Sequence, residues 1–108
     1  MTETIVQINF KYDLPHDAYA ALAQQGAEPI AGVQGLIWKV FLRNLEEREA
    51  GGIYLFESRE AATAYINGPI IAQIRQHPRI SAMHIKLFDV LAAPTRVTRG
   101  PIATRASA

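Results

Sequence analysis

The chain contains no cysteine, which excludes a disulfide framework, a zinc ribbon and a thiol nucleophile. That absence suits a reducing compartment, and a soluble cytoplasmic protein is the expectation. The start, "MTETIVQINF", has no basic segment leading into an apolar one, and no run approaches membrane-spanning length. No glycine-rich phosphate loop precedes a helix, and the three histidines lack ligand spacing, so neither a nucleotide cofactor nor a metal is expected. Basic residues are not interleaved with aromatics in a stripe, which argues against nucleic acid, DNA and RNA alike. The formal charge is +1, but the tail from Ala92 holds Arg96, Arg99 and Arg105 and no acid; its +3 leaves residues 1–91 at −2.

What is present is an apolar chain of one-domain length: 108 residues, 49% hydrophobic, too apolar for disorder. "TIVQINFKY" alternates, with Val6, Ile8, Phe10 and Tyr12 on one side, and reads as a strand. A helix follows, with Asp13 as N-cap, Pro15 in its first turn, Asp17 near the dipole's positive end, and a break or kink at Gly26 and Pro29. "LIWKVFLRN" is a second strand whose parity sets Leu36, Trp38, Val40 and Leu42 against Ile37, Lys39, Phe41 and Arg43. "LEEREA" is a charged turn and "GGIYLFE" the third strand. Ser58 caps a helix that Gly68-Pro69 interrupts and Pro78 ends, and "SAMHIKLFDVL" is the last strand.

The order βαββαβ is the ferredoxin-like α+β pattern, a four-stranded antiparallel sheet with helices on one face. It occupies residues 1–91, and 92–108 read as an irregular tail. Strands two to four are apolar on both faces, although helices cover only one. A second copy is the simplest cover, so a homodimer is expected.

"GLIWKVF", "EREAGGIYLFESREAATAYI" and "KLFDV" resemble corresponding segments of the YdhR monooxygenase family, within the dimeric α+β barrel superfamily that also contains antibiotic-biosynthesis monooxygenases. The resemblance covers most of residues 5–91. It implies a homodimer with its two sheets face to face and a pocket between sheet and helices in each protomer. It also implies oxygenation without metal or flavin, of a small aromatic or polycyclic substrate whose anion reduces dioxygen directly. Two alternatives stay open: a non-catalytic ligand-binding or stress-response domain, and a haem-binding or haem-degrading relative suggested by Asn9 and His77.

For the substrate, the expected lining is Trp38, Tyr54, Tyr65, Tyr12 and Phe56. Ala61 and Ala62, beside Tyr65, would leave the space. No base is assigned: His84 shares its strand face with Lys86 and Phe88, on the dimer side, His77 suits a helix end, and His16 an exposed turn. Gln7 and Asn9 are candidate hydrogen-bonding groups on the less apolar face of the first strand, and Glu49 is a turn or pocket-lip carboxylate. Gly51 and Gly52 open an otherwise apolar strand, where glycine is unfavourable; a bulge with close packing is the expected reason.

Overall fold

The structure, a computed structural model, describes residues 3–102. Strands β1 (Thr4–Tyr12), β2 (Leu36–Asn44), β3 (Glu49–Phe56) and β4 (Ile80–Asp89) form one antiparallel sheet in the order β2-β3-β1-β4. Helices α1 (His16–Ala31), α2 (Arg59–Ile66) and α3 (Pro69–Gln76) pack on one face of it. This is the expected ferredoxin-like arrangement. Period-two burial in β1 sends Val6, Ile8, Phe10 and Tyr12 into the core, where Tyr54, Phe56, Tyr65 and Ile71 meet them. Each such side chain contributes about 1.5–3 kcal/mol when fully removed from water.

Several local features depart from the sequence pattern. Pro15, not Asp13, is the N-cap of α1, without a side-chain cap. Asp13 instead donates its N–H to the Arg79 carbonyl at 2.8 Å and takes the Arg79 guanidinium at 3.3 Å, which ties the corner to the start of β4. The helix runs unbroken through Gly26 and Pro29. Pro29 falls in the last turn, where a missing donor affects only the helix end, and Ile30 beside it is buried in the core. Ser58 caps α2 as expected, accepting from the Ala61 N–H at 3.1 Å. Residues 92–97, expected to be irregular, form a short helix α4 (Ala92–Val97). Residues 103–108 of the tail, Arg105 among them, lie outside the described residues.

The largest correction is in β2. Leu36 opposes Phe56 while Trp38 opposes Leu55, so one extra residue, Ile37, is accommodated as a bulge. A one-residue insertion exchanges the faces of everything beyond it. From there on, Lys39, Phe41 and Arg43 face the helices beside Tyr54, Gly52 and Ala50, and Trp38, Val40 and Leu42 face away. A second irregularity, between Asn9 and Lys11 in the β1–β4 pairing, is absorbed at Ala82, whose φ is +53°. No shift occurs at Gly51 or Gly52, so the bulge expected there is absent.

The sheet's other face is open. It presents Val40 at 52% and Phe88 at 45% exposure, next to a polar strip of Gln7, Asn9, His84 and Lys86. Leu55 on that face is nonetheless fully buried and lies outside the main core cluster. The Trp38 indole N–H donates to the Pro101 carbonyl at 2.7 Å, so the segment after β4 reaches β2.

Candidate functional site

The sheet and helices do not close completely. Between β1, β2 and β3 on one side and α1 and α3 on the other is a cavity of about 520 Å³. Its walls are mostly aliphatic and aromatic: Ile8, Phe10, Phe41 and Ile80 from the sheet, Leu22 and Ile30 from α1, Ile70, Ile71 and Ile74 from α3. The room comes from α1, where Ala23 and Gly26 line it; a Cβ added at Gly26 would meet nothing within 4 Å. A smaller groove of about 280 Å³, bordered by Gln24, Ala27 and Arg43, shares Tyr19, Ala23 and Phe41 with it.

Of the five side chains expected to bind substrate, only Tyr54 lines the cavity. Tyr65 lies one hydrogen bond behind, its hydroxyl donating to that of Tyr54 at 3.0 Å. Ala61 and Ala62 leave no space before its ring: Ala62 is fully buried, and the ring packs 5.0 Å from Tyr54 and 5.5 Å from Phe56. Phe56 is fully buried core. Tyr12 stacks on Tyr19 at 4.6 Å and shares a 2.7 Å hydrogen bond with His16 Nδ1, which makes His16 part of the core's edge. Trp38, on the far side of the bulge, faces the open side of the sheet.

The sequence reading missed Lys39, Tyr19, Phe41 and His77 as lining residues. Lys39 is the one Lys or Arg among them. Its Nζ sits 3.7 Å from the Phe41 ring centroid and 4.5 Å from that of Tyr54. Such contacts contribute about 0.5–2 kcal/mol each, more as water is excluded. Burial lowers its pKa from 10.5 to about 8, since the ammonium form loses hydration. Burial also raises the hydroxyl pKa of Tyr54, with the neighbouring Tyr65 adding to the rise, and raises those of Tyr19 and Tyr65. The tyrosines therefore stay neutral and act as hydrogen-bond groups.

The glycine pair has two distinct reasons. At Gly51, φ is +151°, and an added Cβ would collide with the Ile8 carbonyl, its carbon only 2.8 Å away. Gly52 faces the helices, and a Cβ there would lie 2.5 Å from Lys39 Cε and 3.0 Å from the Val40 oxygen. Gly51 serves the strand; Gly52 makes room for the lysine.

His77 ends α3 at the cavity rim, where its Nδ1 accepts the Arg79 backbone N–H at 3.0 Å. That bond places the proton of the neutral ring on Nε2. Asn9 and His84 oppose each other on the open face, away from the cavity. Glu49 pairs with Lys11 and Asn44 on that same face, so it is no pocket lip. Among the described residues no three His, Asp or Glu side chains gather as a metal site. Among the described residues no helix is long and apolar enough to cross a membrane.

Solved structures with the same ferredoxin-like fold superpose on this sheet and its helices. SnoaB, a cofactor-independent oxygenase from Streptomyces nogalater, matches with TM-score 0.66 and 15% identity over 83% of this chain and 94% of its own. A Nitrosomonas europaea protein of unknown function matches with TM-score 0.68 and 22% identity over 86% and 93%. The heme-degrader MhuD of Mycobacterium tuberculosis, solved with two hemes in its active site, matches with TM-score 0.55 and 26% identity over 81% and 95%. No curated protein matches in sequence. Residues 5–101 match the family described as "Putative mono-oxygenase ydhR", and the chain belongs to that family.

Proposed function

We propose that the protein oxygenates a small aromatic or polycyclic substrate in the sheet–helix cavity, without a resident cofactor, and works as a homodimer. The observation that carries this reading is the cavity itself: about 520 Å³, apolar, and furnished with the neutral hydroxyl of Tyr54, backed by Tyr65, and one amine. An electron-rich hydroxyaromatic fits such a space. Once its hydroxyl proton is removed, the anion can transfer an electron to dioxygen. The two radicals combine at a ring carbon that bears hydrogen, and the resulting peroxide takes up a proton. Loss of that carbon's proton with cleavage of the O–O bond leaves a carbonyl and releases water. The protein's part is to exclude water, orient the ring and hold the proton at a defined atom. Family membership supports the oxygenase class, and the likeness to SnoaB, a cofactor-independent oxygenase, supports the cofactor-free route.

The haem alternative draws on MhuD but fits these residues poorly. His77 carries its proton on Nε2, the nitrogen left free by the Arg79 amide, and Asn9 lies across the sheet. Dimerisation is supported by the exposed Val40 and Phe88; sedimentation equilibrium should give about twice the 11.9 kDa of one chain, and a stable monomer would contradict it.

The functional test is oxygen uptake by chelator-treated protein with an anthrone or a naphthohydroquinone. Turnover above autoxidation is expected, with loss in Gly26→Leu, whose side chain enters the cavity. Absence of turnover, or equal turnover in Gly26→Leu, would overturn the reading.

A further inference from the structure

We infer that Lys39 and Gly52 together form an anion seat, so that the cavity selects aromatics bearing an acidic hydroxyl and binds them as the oxyanion. The inference deepens the proposed function and rests on the cavity being the ligand site.

Lysines on edge strands usually turn their ammonium groups to water, where they also discourage strand addition. β2 is an edge strand, yet the Lys39 side chain folds inward across the neighbouring strand. The bare backbone at Gly52 leaves the room for this, since a Cβ would stand 2.5 Å from Cε and 3.4 Å from Nζ. Two ring faces receive the ammonium, but a ring quadrupole is only a partial counter-charge. The described ion pairs involve Lys11, Arg59 and Arg79, none of them Lys39. The cavity lining contains no Asp or Glu.

The other titratable groups facing the space are Tyr19 from α1, Tyr54 from β3 and His77 at the end of α3. Burial keeps the two tyrosines neutral, so none of these supplies a negative charge. An unpaired cation held against aromatic rings calls for its counter-charge from the ligand. A single phenolate oxygen suits it: one charge, on a ring that the apolar walls accept. The hydroxyl proton passes to the Lys39 amine, leaving oxyanion and ammonium as a pair; the same complex forms when the ammonium meets the anion directly. Gly52 is then a positioning residue for Lys39.

A hydroxyanthraquinone, whose anion absorbs to the red of its neutral form, tests this beside its methyl ether. Wild-type protein should lower the pH of the probe's colour change by roughly one, which corresponds to about a tenfold preference for the anion. Lys39→Met should abolish that change while still binding the methyl ether, which also reports an intact cavity. Gly52→Ala, which displaces the lysine tip, should weaken the effect in the wild-type background and add nothing to Lys39→Met. An unaltered colour change in wild type, or one that survives Lys39→Met, would overturn the anion seat while ether binding leaves the aromatic cavity standing. Failure of wild-type protein to bind either compound would remove the cavity reading and this inference with it.

Discussion

Replacing Gly51 by alanine places one methyl group where the β1 backbone already stands. The added Cβ would fall inside contact distance of the Ile8 carbonyl and 3.0 Å from Asn9 Cα, both main-chain atoms of the central strand. Neither can yield without breaking the β1–β3 ladder. Overpacking of this kind costs about 1–3 kcal/mol. A side chain at φ +151° adds about 1–3 kcal/mol of backbone strain. Even the lower sum, about 2 kcal/mol, is a large share of the roughly 5–15 kcal/mol that holds a domain together. At about 4–8 °C per kcal/mol for a chain of this size, the melting temperature should fall by at least 8 °C or so. Gly52→Ala is the internal control, since it meets mainly the end of a flexible lysine and should lose less. Thermal unfolding followed by circular dichroism measures both. Equal melting temperatures for wild type and Gly51→Ala would refute the close approach of β1 and β3.

Gly26→Ala removes a glycine from a helix interior and adds a methyl into open space, so it should stabilise by up to about 1 kcal/mol, read as a higher urea midpoint. Trp38→Phe deletes the hydrogen bond to Pro101 and should speed tryptic cleavage at Arg96 and Arg99 while leaving aromatic-ligand affinity unchanged; reduced affinity would mean that the indole reaches the site. Lys39 predicts a pH dependence. Its folded pKa of about 8 lies below the unfolded 10.5, so between those values the unfolded chain binds more protons, and stability rises with pH. Wild type should therefore gain on Lys39→Met from pH 8 to 10.5, as chemical denaturation can measure, and a constant difference across that window would contradict the burial of the amine.

Much of the fold was legible because β1 and α2 obey simple rules: alternate residues of β1 are buried, and Ser58 caps where its side chain predicts. The site was not, and one residue accounts for most of the difference. Ile37 is an ordinary strand residue, and nothing in its type signals a bulge, yet the inserted position sends Trp38 outward and Lys39 inward. Read without it, β2 offers an aromatic for the pocket and a lysine for solvent. The cavity's volume was likewise hidden. Gly26 looked like a helix breaker, but Pro29 lies near enough to the end for α1 to continue, leaving the glycine's missing side chain as space. The glycine pair was the legible clue: unfavourable residues in a strand mark a neighbour's close approach, and Lys39 is that neighbour at Gly52.

The most direct test is a crystal structure of the protein with a bound hydroxyaromatic. The ring should lie between Tyr54 and the Gly26 face of α1, with its oxygen within about 3.2 Å of Lys39 Nζ. A ligand bound instead on the open face, beside Asn9 and His84, would contradict the account.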